Sequence, residues 1–104
     1  MKTSFKEISL PKLNNLTPSL ESTALKLMEE AGELAQAIGK FRGLNGENVT
    51  LSEKEIMEKI SEELLDVAQV AVSMMFVLEE KYNINIEEKL KEHIEKLKRK
   101  GYIK

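Results

Sequence analysis

Residues 53–81 read EKEIMEKISEELLDVAQVAVSMMFVLEEK, and their apolar side chains recur at helical spacing. Ser52 and Glu55 form the capping box that commonly begins a helix. Glu63 lies within one apolar stripe, whose other members are Ile56, Ile60, Val67, Val70, Met74, Val77 and Leu78. A buried carboxylate is costly unless it has a partner, a proton or a metal. The stretch therefore predicts a long helix in which Glu63 is the exceptional residue.

Two more helices are predicted around this one. Thr17 as N-cap and Pro18 at the first helical position predict a helix over about 18–41. A loop with two glycines follows over residues 42–48. Asn85 is the expected N-cap of a third helix that continues to about residue 99. The predicted fold class is all-α, a helical bundle of three main helices.

The chain has 104 residues, which favours a single domain. Residues 1–17 show no clean period and are interpreted as an N-terminal arm that packs on a helical domain of residues 18–104. Ala68, Ala71 and Val72 widen the apolar surface of the second helix beyond one stripe. A helix that is apolar on most sides is buried on most sides, and three helices cannot bury so much surface alone. We therefore expect a homo-oligomer, a homodimer or homotetramer, to complete the bundle.

Composition excludes several classes of protein. The formal net charge is −2, which gives no reason to expect duplex nucleic acid as a partner. No apolar run approaches the ~20 residues of a membrane span, and the N-terminus lacks the apolar core of a signal peptide. The absence of Cys excludes disulfides and thiolate metal sites. The composition predicts a cytoplasmic helical protein.

A second acidic cluster, Glu29-Glu30-Ala31-Gly32-Glu33, falls on the predicted first helix. Glu30 and Glu33 share a face of that helix, because residues three apart are neighbours. If the two apolar stripes pack together, these carboxylates converge with Glu63 and Asp66. Sites with only oxygen ligands favour Mg²⁺, Mn²⁺ or Ca²⁺ over zinc or copper.

Two explanations of Glu63 remain open from the residues alone. One is a bound metal ion, and the other is a buried salt bridge to Lys26 or Lys59. Gly32 in mid-helix costs about 1 kcal/mol relative to Ala. Its presence predicts a close approach of another helix next to the carboxylates.

Basic residues offer candidate contacts for an anionic substrate. Lys40 and Arg42 follow the first acidic cluster, and Lys26 lies on the same side of that helix. His93 falls on the apolar face of the third helix, where a hydrogen-bonded core histidine is the first interpretation and a substrate pocket the second. Lys96 belongs to the basic end of that helix. All five are candidate substrate-binding residues.

Three segments resemble the MazG-type nucleoside triphosphate pyrophosphohydrolases, and the resemblance covers roughly residues 18–100. Leu25–Ala35, LKLMEEAGELA, resembles the EExxE helix of that family. Glu63–Val67, ELLDV, resembles its ExxD motif. Asn83–Glu88 and the Lys-rich final helix resemble the usual ending. The two acidic motifs in this order make the resemblance fairly specific.

The resemblance implies an all-α dimer or dimer of dimers. It also implies Mg²⁺-dependent cleavage of a nucleoside triphosphate between its α and β phosphates, giving a monophosphate and pyrophosphate, with Mn²⁺ as the alternative cofactor. Carried over to this chain, the metal ligands are Glu30, Glu33, Glu63 and Asp66. Glu29 is a further acidic participant, and either Glu29 or Glu33 is the candidate base for the attacking water.

The chain departs from the family in two places. Family members often carry a Lys-Asn pair in the final helix, whereas Lys96 here precedes Leu97, and the Trp residues that stack on the base in some relatives are absent. The alternative function is a non-catalytic helical module that assembles with itself or binds a partner. Such a module explains the long apolar helices equally well, but explains an acid at Glu63 less naturally.

Overall fold

The computed structural model describes residues 2–43 and 52–104, and within these ranges it contains three α-helices and no strand. Helix α1 spans Leu20–Arg42, α2 spans Glu53–Tyr82 and α3 spans Ile86–Arg99. The predicted all-α class with three main helices is therefore confirmed. Most of the predicted loop over residues 42–48 lies outside the described residues.

Helix α1 begins two residues later than predicted. Its N-cap is Ser19, whose hydroxyl accepts a hydrogen bond from the Ser22 backbone N–H at 3.0 Å. The Ser22 hydroxyl in turn accepts from the Ser19 N–H at 2.8 Å, which completes a reciprocal capping box. Pro18 lies before the cap, where its carbonyl accepts from Lys81 Nζ at 3.0 Å. The prediction of Thr17 as N-cap is wrong because the Ser19–Ser22 pair satisfies two backbone donors and Thr17 is not needed.

The other predicted helix starts are correct. At the start of α2, the Ser52 hydroxyl accepts from the Glu55 N–H at 3.2 Å, and the Glu55 carboxylate accepts from the Ser52 N–H at 3.4 Å. Helix α2 ends at Tyr82, and its C-cap Asn83 takes the left-handed conformation at φ 59°. Asn85 then caps α3 by accepting from the Glu88 N–H at 3.1 Å. Helix α3 therefore follows α2 after a connection of only three residues, 83–85.

Helices α1 and α2 pack side by side as an antiparallel hairpin. Several buried positions lie seven residues or a multiple of seven apart, at Thr23, Glu30 and Ala37 on α1 and at Ile56, Glu63 and Val77 on α2, and Ser73 of α2 is also buried. This spacing keeps one face of each helix turned toward its neighbour along the whole contact. The interface therefore places Glu30 and Glu63 in the middle of the hairpin.

Polar contacts hold the later part of the N-terminal arm on α2. The Gln69 side-chain amide donates to the Pro11 carbonyl at 2.8 Å, and Lys12 forms an ion pair with Glu80. Nearer the N-terminus, Phe5 is 71% exposed. The arm thus packs on the helix through polar contacts, while this aromatic side chain finds no cover within one chain.

The single chain leaves much apolar surface uncovered. Met28 of α1 is 74% exposed, Leu64 of α2 is 54% exposed and Leu90 of α3 is 57% exposed. The described helices of one chain thus leave part of the apolar surface of α2 uncovered, as expected if three helices cannot bury it alone. Helix α3 approaches only α2 among the described helices, and none of its residues is buried. None of the described helices combines the length and apolar character needed to cross a membrane.

Candidate metal centre

Three carboxylates from α1 and α2 meet near the middle of the hairpin. One oxygen from each of Glu30, Glu63 and Asp66 lies within 4.8 Å of the others. Glu30 and Glu63 are only 7% and 6% exposed, whereas Asp66 is exposed. The same seven-residue spacing is filled by Ala37 on α1 and Ile56 on α2. Two acids therefore occupy positions that a helical hairpin normally gives to apolar residues.

A second group of acids extends this cluster to the surface. Oxygens of Glu29, Glu30 and Glu33 also lie within 4.8 Å of one another. Glu30 belongs to both groups, and Glu29 and Glu33 are exposed. All the acids predicted from the sequence as site residues thus lie in one cluster. Its buried end is at Glu63, and its exposed end is at Glu29 and Glu33.

Two lysines pair with the buried acids. Lys26 Nζ lies 3.1 Å from Glu30 Oε1 and 3.6 Å from Glu29 Oε1. Lys59 Nζ lies 2.9 Å from Glu63 Oε1. The hydrogen bond that Lys26 donates to Glu30 raises the pKa of Lys26, and the one that Lys59 donates to Glu63 raises the pKa of Lys59. The predicted salt bridge of Glu63 therefore exists with Lys59, while Lys26 pairs with the acids of its own helix instead.

The ion pair leaves half of the Glu63 carboxylate without a partner. Lys59 contacts only Oε1, and Oε2 is buried with no hydrogen-bond partner among the described residues. A buried acceptor left unsatisfied costs about 1–3 kcal/mol, and more when the group is charged. The salt bridge alone is thus an incomplete explanation of Glu63. A cation shared with Glu30 and Asp66 would satisfy the remaining oxygen.

Repulsion among the acids points to the same ligand. The pKa of Glu33 is raised, chiefly by the negative charge of Glu30, then by partial burial and by the charge of Glu63. A divalent cation relieves such repulsion, and a set of carboxylate oxygens suits a hard ion such as Mg²⁺. The donor set, the orphaned oxygen and the repulsion all fit a divalent metal.

An open cleft of about 690 Å³ lies beside the cluster. Glu33 and Glu63 line it from the side of the acids, and Lys40 and Lys59 line it as well. Arg42, the other predicted phosphate contact of α1, instead places its guanidinium 4.9 Å from the ring centroid of Phe41. Lys40 is therefore the cleft-lining member of that pair.

Four residues that line this cleft were not predicted as site residues from the sequence, namely Gln36, Glu55, Glu58 and Glu62. The spacing of these residues along their helices could have identified them. Glu55, Glu58 and Glu62 follow one another three and four residues apart, which places them along one edge of α2. Gln36 follows Glu33 by three residues on α1, so it extends the acidic edge of that helix.

The structure places His93 and Lys96 away from the carboxylates. Both are exposed on α3, and neither lines the cleft. The interpretation of His93 as a core histidine is wrong for the single chain, because His93 is exposed and α3 contacts only α2 among the described helices. Their predicted contact with substrate stays a prediction, and within one chain they are not positioned to make it.

Gly32 does not mark a helix contact within the described part of the chain. A Cβ atom built on it has no neighbour within 4 Å. The predicted close approach next to the carboxylates is therefore wrong for one chain. Met28, on the same side of α1, is largely exposed, so this part of the helix faces away from α2.

Fold and site together define an all-α protein with a carboxylate centre suited to a divalent cation. Residues 18–101 match the family model described as the MazG nucleotide pyrophosphohydrolase domain. The chain therefore belongs to the MazG nucleotide pyrophosphohydrolase family, as the two acidic motifs predicted. Comparisons with curated proteins and with solved structures gave no match. Membership of this family indicates a nucleotide pyrophosphohydrolase. The predicted boundary between the N-terminal arm and the helical domain at residue 17 stays a prediction.

Proposed function

We propose that the chain hydrolyses a nucleoside triphosphate between the α and β phosphates, releasing a nucleoside monophosphate and pyrophosphate. The observation that carries this proposal is the buried Glu63 carboxylate with one unpartnered oxygen, beside Glu30 and Asp66 and next to an open cleft. Family membership supplies the reaction class. It also does not favour the alternative of a non-catalytic helical module.

Glu30, Glu33, Glu63 and Asp66 would hold Mg²⁺, with Mn²⁺ as the alternative ion. When bound, such an ion neutralises charge on the phosphates and lowers the pKa of a coordinated water. The burial of Glu30 and Glu63 fixes two of these carboxylates on rigid helices, which keeps the site ordered before substrate arrives.

The exposed acids are the candidates for proton transfer. A water that attacks phosphorus loses a proton as the α–β anhydride bond breaks and pyrophosphate leaves. Glu29 and Glu33 are both exposed members of the cluster. Glu29 is also paired with Lys26, whereas Glu33 lines the cleft itself. Glu33 is therefore the better-placed proton acceptor of the two.

Basic residues near the cleft would bind the phosphates. Lys40 lines the cleft, and Lys26 pairs with Glu29 and Glu30 of the neighbouring acid cluster. Arg42 lies two residues beyond Lys40, does not line the cleft, and stays a secondary candidate. Lysine acts on phosphate as a point charge, so these contacts favour a polyphosphate chain without selecting a particular base.

The enzyme is proposed to act as a homodimer or homotetramer. Leu25 is 70% exposed and Leu65 is 49% exposed in the single chain, together with other large apolar side chains of α1 and α2. Monomeric soluble proteins rarely leave contiguous apolar surface of this kind uncovered. Free nucleotides are the proposed partners, which is consistent with the predicted cytoplasmic location and absence of duplex nucleic acid.

A panel of nucleoside triphosphates incubated with Mg²⁺ tests the proposal. Chromatography should show a monophosphate and pyrophosphate in equal amounts, and a chelator should stop the reaction. Glu63→Gln should abolish turnover while the helical circular dichroism signal is kept. The matched control Glu79→Gln removes an exposed acid of the same helix and should leave turnover unchanged. Release of orthophosphate alone, or full activity in Glu63→Gln, would overturn the proposal.

A further inference from the structure

A second cavity, of about 240 Å³, lies between the N-terminal arm and the second half of α2. We call it the arm cavity. Leu16 and Pro18 line one of its walls, and Phe76 and Val77 line the other. It shares no lining residue with the carboxylate cleft. The arm cavity is therefore a separate space, and neither the acids nor the basic residues of the proposed hydrolysis use it.

Polar contacts hold the arm in place on two sides of this cavity. Lys12 forms an ion pair with Glu80, and Lys81 Nζ donates to the Pro18 carbonyl at 3.0 Å. Between these two contacts Leu16 lines the cavity, yet it is 62% exposed and leaves the space unfilled. Protein interiors contain few voids larger than a water molecule, so a concave apolar space of this size is suited to a ligand.

The α2 wall contains a hydroxyl that no described residue satisfies. Ser73 lines the arm cavity and is only 8% exposed, and its Oγ has no hydrogen-bond partner among the described residues. Because the large majority of buried polar groups in proteins have a partner, this exception calls for one. The next lining residues of α2, Phe76 and Val77, offer only apolar side chains. One end of the cavity thus has an unused polar group beside an apolar surface.

The other end of the cavity has an excess of positive charge. Glu80 neutralises Lys12, whereas Lys81 contacts an uncharged carbonyl and forms no ion pair among the described residues. An anionic group beside Lys81 would form a charge-assisted hydrogen bond, which is stronger than a neutral one. Ser73 and Lys81 are eight residues apart, or about 12 Å along the helix axis. A ligand that meets both therefore has an anionic end, an apolar middle and a second polar end.

The volume of the cavity limits the size of that ligand. An engineered apolar cavity of about 150 Å³ binds benzene, and sites for drug-sized molecules run from about 300 to 1,000 Å³. The arm cavity, at about 240 Å³, lies between these values. It therefore suits one aromatic ring with two small substituents, and it is too small for a whole nucleoside triphosphate.

We propose that the arm cavity binds a small aromatic carboxylate, with its ring between Leu16 and Phe76, its carboxylate at Lys81 and a polar substituent of the ring at Ser73. Such a ligand contacts the arm and α2 at the same time, so its binding stabilises the packing of the arm on the hairpin. The site does not depend on nucleotide hydrolysis, and it stands or falls separately from the proposed function.

A titration with para-hydroxybenzoate, followed by nuclear magnetic resonance of the isotope-labelled full chain, locates the site. The backbone amide signals of Thr17, Ser73 and Val77 should shift and reach saturation. The signals of Glu33 and Glu62, which line the carboxylate cleft, should keep their positions. The absence of any saturable shift, or shifts that are largest at the carboxylate cleft, would overturn the proposal.

Two lysine variants test the anionic end of the ligand. Lys81→Gln should weaken binding of para-hydroxybenzoate roughly tenfold or more, because a hydrogen bond to a charged group is lost. Lys81→Arg keeps the charge and the donor to Pro18, so it should bind nearly as tightly as the wild type. The matched control Lys54→Gln removes an exposed charge at the other end of α2 and should leave the affinity unchanged. Equal affinity in Lys81→Gln and Lys54→Gln would contradict the assignment of Lys81.

The polar end is tested by comparing two ligands on two proteins. The wild type should bind para-hydroxybenzoate several-fold more tightly than benzoate, which lacks the hydroxyl. In Ser73→Ala the two ligands should bind with equal affinity, because the partner of that hydroxyl is gone. A difference between the ligands that is as large in Ser73→Ala as in the wild type would refute the contact, and so would equal binding of both ligands to the wild type.

Discussion

Replacing Glu63 by Met should stabilise the metal-free protein. Glu63 is 6% exposed, and its Oε2 has no partner among the described residues. Methionine has similar length and flexibility, so it can occupy the same space between α1 and α2 without a large cavity. The variant also breaks the ion pair with Lys59, but the Lys59 side chain is 58% exposed and can return to solvent. The free-energy cost of losing that ion pair is therefore small.

The size of the effect follows from the orphaned oxygen. An unsatisfied buried polar group costs about 1–3 kcal/mol, and replacing a buried ion pair by apolar residues of similar volume commonly gains about 1–4 kcal/mol. We expect Glu63→Met to raise the free energy of unfolding by about 1–3 kcal/mol. For a domain of about this size, each 1 kcal/mol raises the melting temperature by roughly 4–8 °C.

Thermal unfolding is measured in a chelator and in excess Mg²⁺, at one fixed protein concentration. It gives the stability of each protein without metal and the gain that each receives from metal. In the chelator the variant should melt above the wild type. With metal at about 100 times its Kd, the wild type should gain about 2.7 kcal/mol and the variant should gain nothing. Glu79→Met, at an exposed position of α2, is the control. A variant that melts below the wild type in the chelator, or that keeps the metal-induced shift, would refute the reasoning.

Three further predictions concern single side chains. Because neighbouring charges raise the pKa of Glu33 above 4.5, its ionised form destabilises the fold as pH rises through that raised pKa. Glu33→Gln should therefore stabilise the metal-free protein at neutral pH, with a gain that disappears below pH 4.5 in a pH series of melts; a gain that persists in acid would contradict it. Ser73 has a buried hydroxyl with no partner among the described residues, so Ser73→Ala should gain about 1 kcal/mol in urea unfolding, and a loss would show that the hydroxyl is bonded. Ser19→Ala should cost about 0.5–2 kcal/mol in the same assay, and no change would mean that the α1 cap is dispensable.

Local chemistry in the sequence predicted most of the hairpin. The Ser52–Glu55 capping box predicted the start of α2, and the position of Glu63 in an apolar stripe predicted that it meets Glu30 where the stripes of α1 and α2 pack together. The start of α1 was missed because two caps competed within three residues. Ser19 is the N-cap because the Ser22 hydroxyl also accepts a hydrogen bond from the Ser19 N–H. Preferences of single residues do not reveal such a reciprocal pair.

Two predictions from the sequence fail within the described part of one chain. His93 lies on an apolar stripe and was expected in the core, yet α3 leaves the hairpin and stays exposed. Gly32 was expected at a helix contact and has open space around it. A periodic pattern shows which face of a helix is covered, but it does not show whether the cover belongs to the same chain. Both residues are explained if a second copy provides it.

The most direct test of the metal centre is a crystal structure grown with Mn²⁺ and measured for anomalous scattering. We predict an anomalous peak between the carboxylates of Glu30, Glu63 and Asp66, with Glu63 Oε2 as a ligand. Carboxylates that turn apart into solvent, with no peak between them while Mn²⁺ is bound elsewhere, would contradict a metal centre at this place in the hairpin.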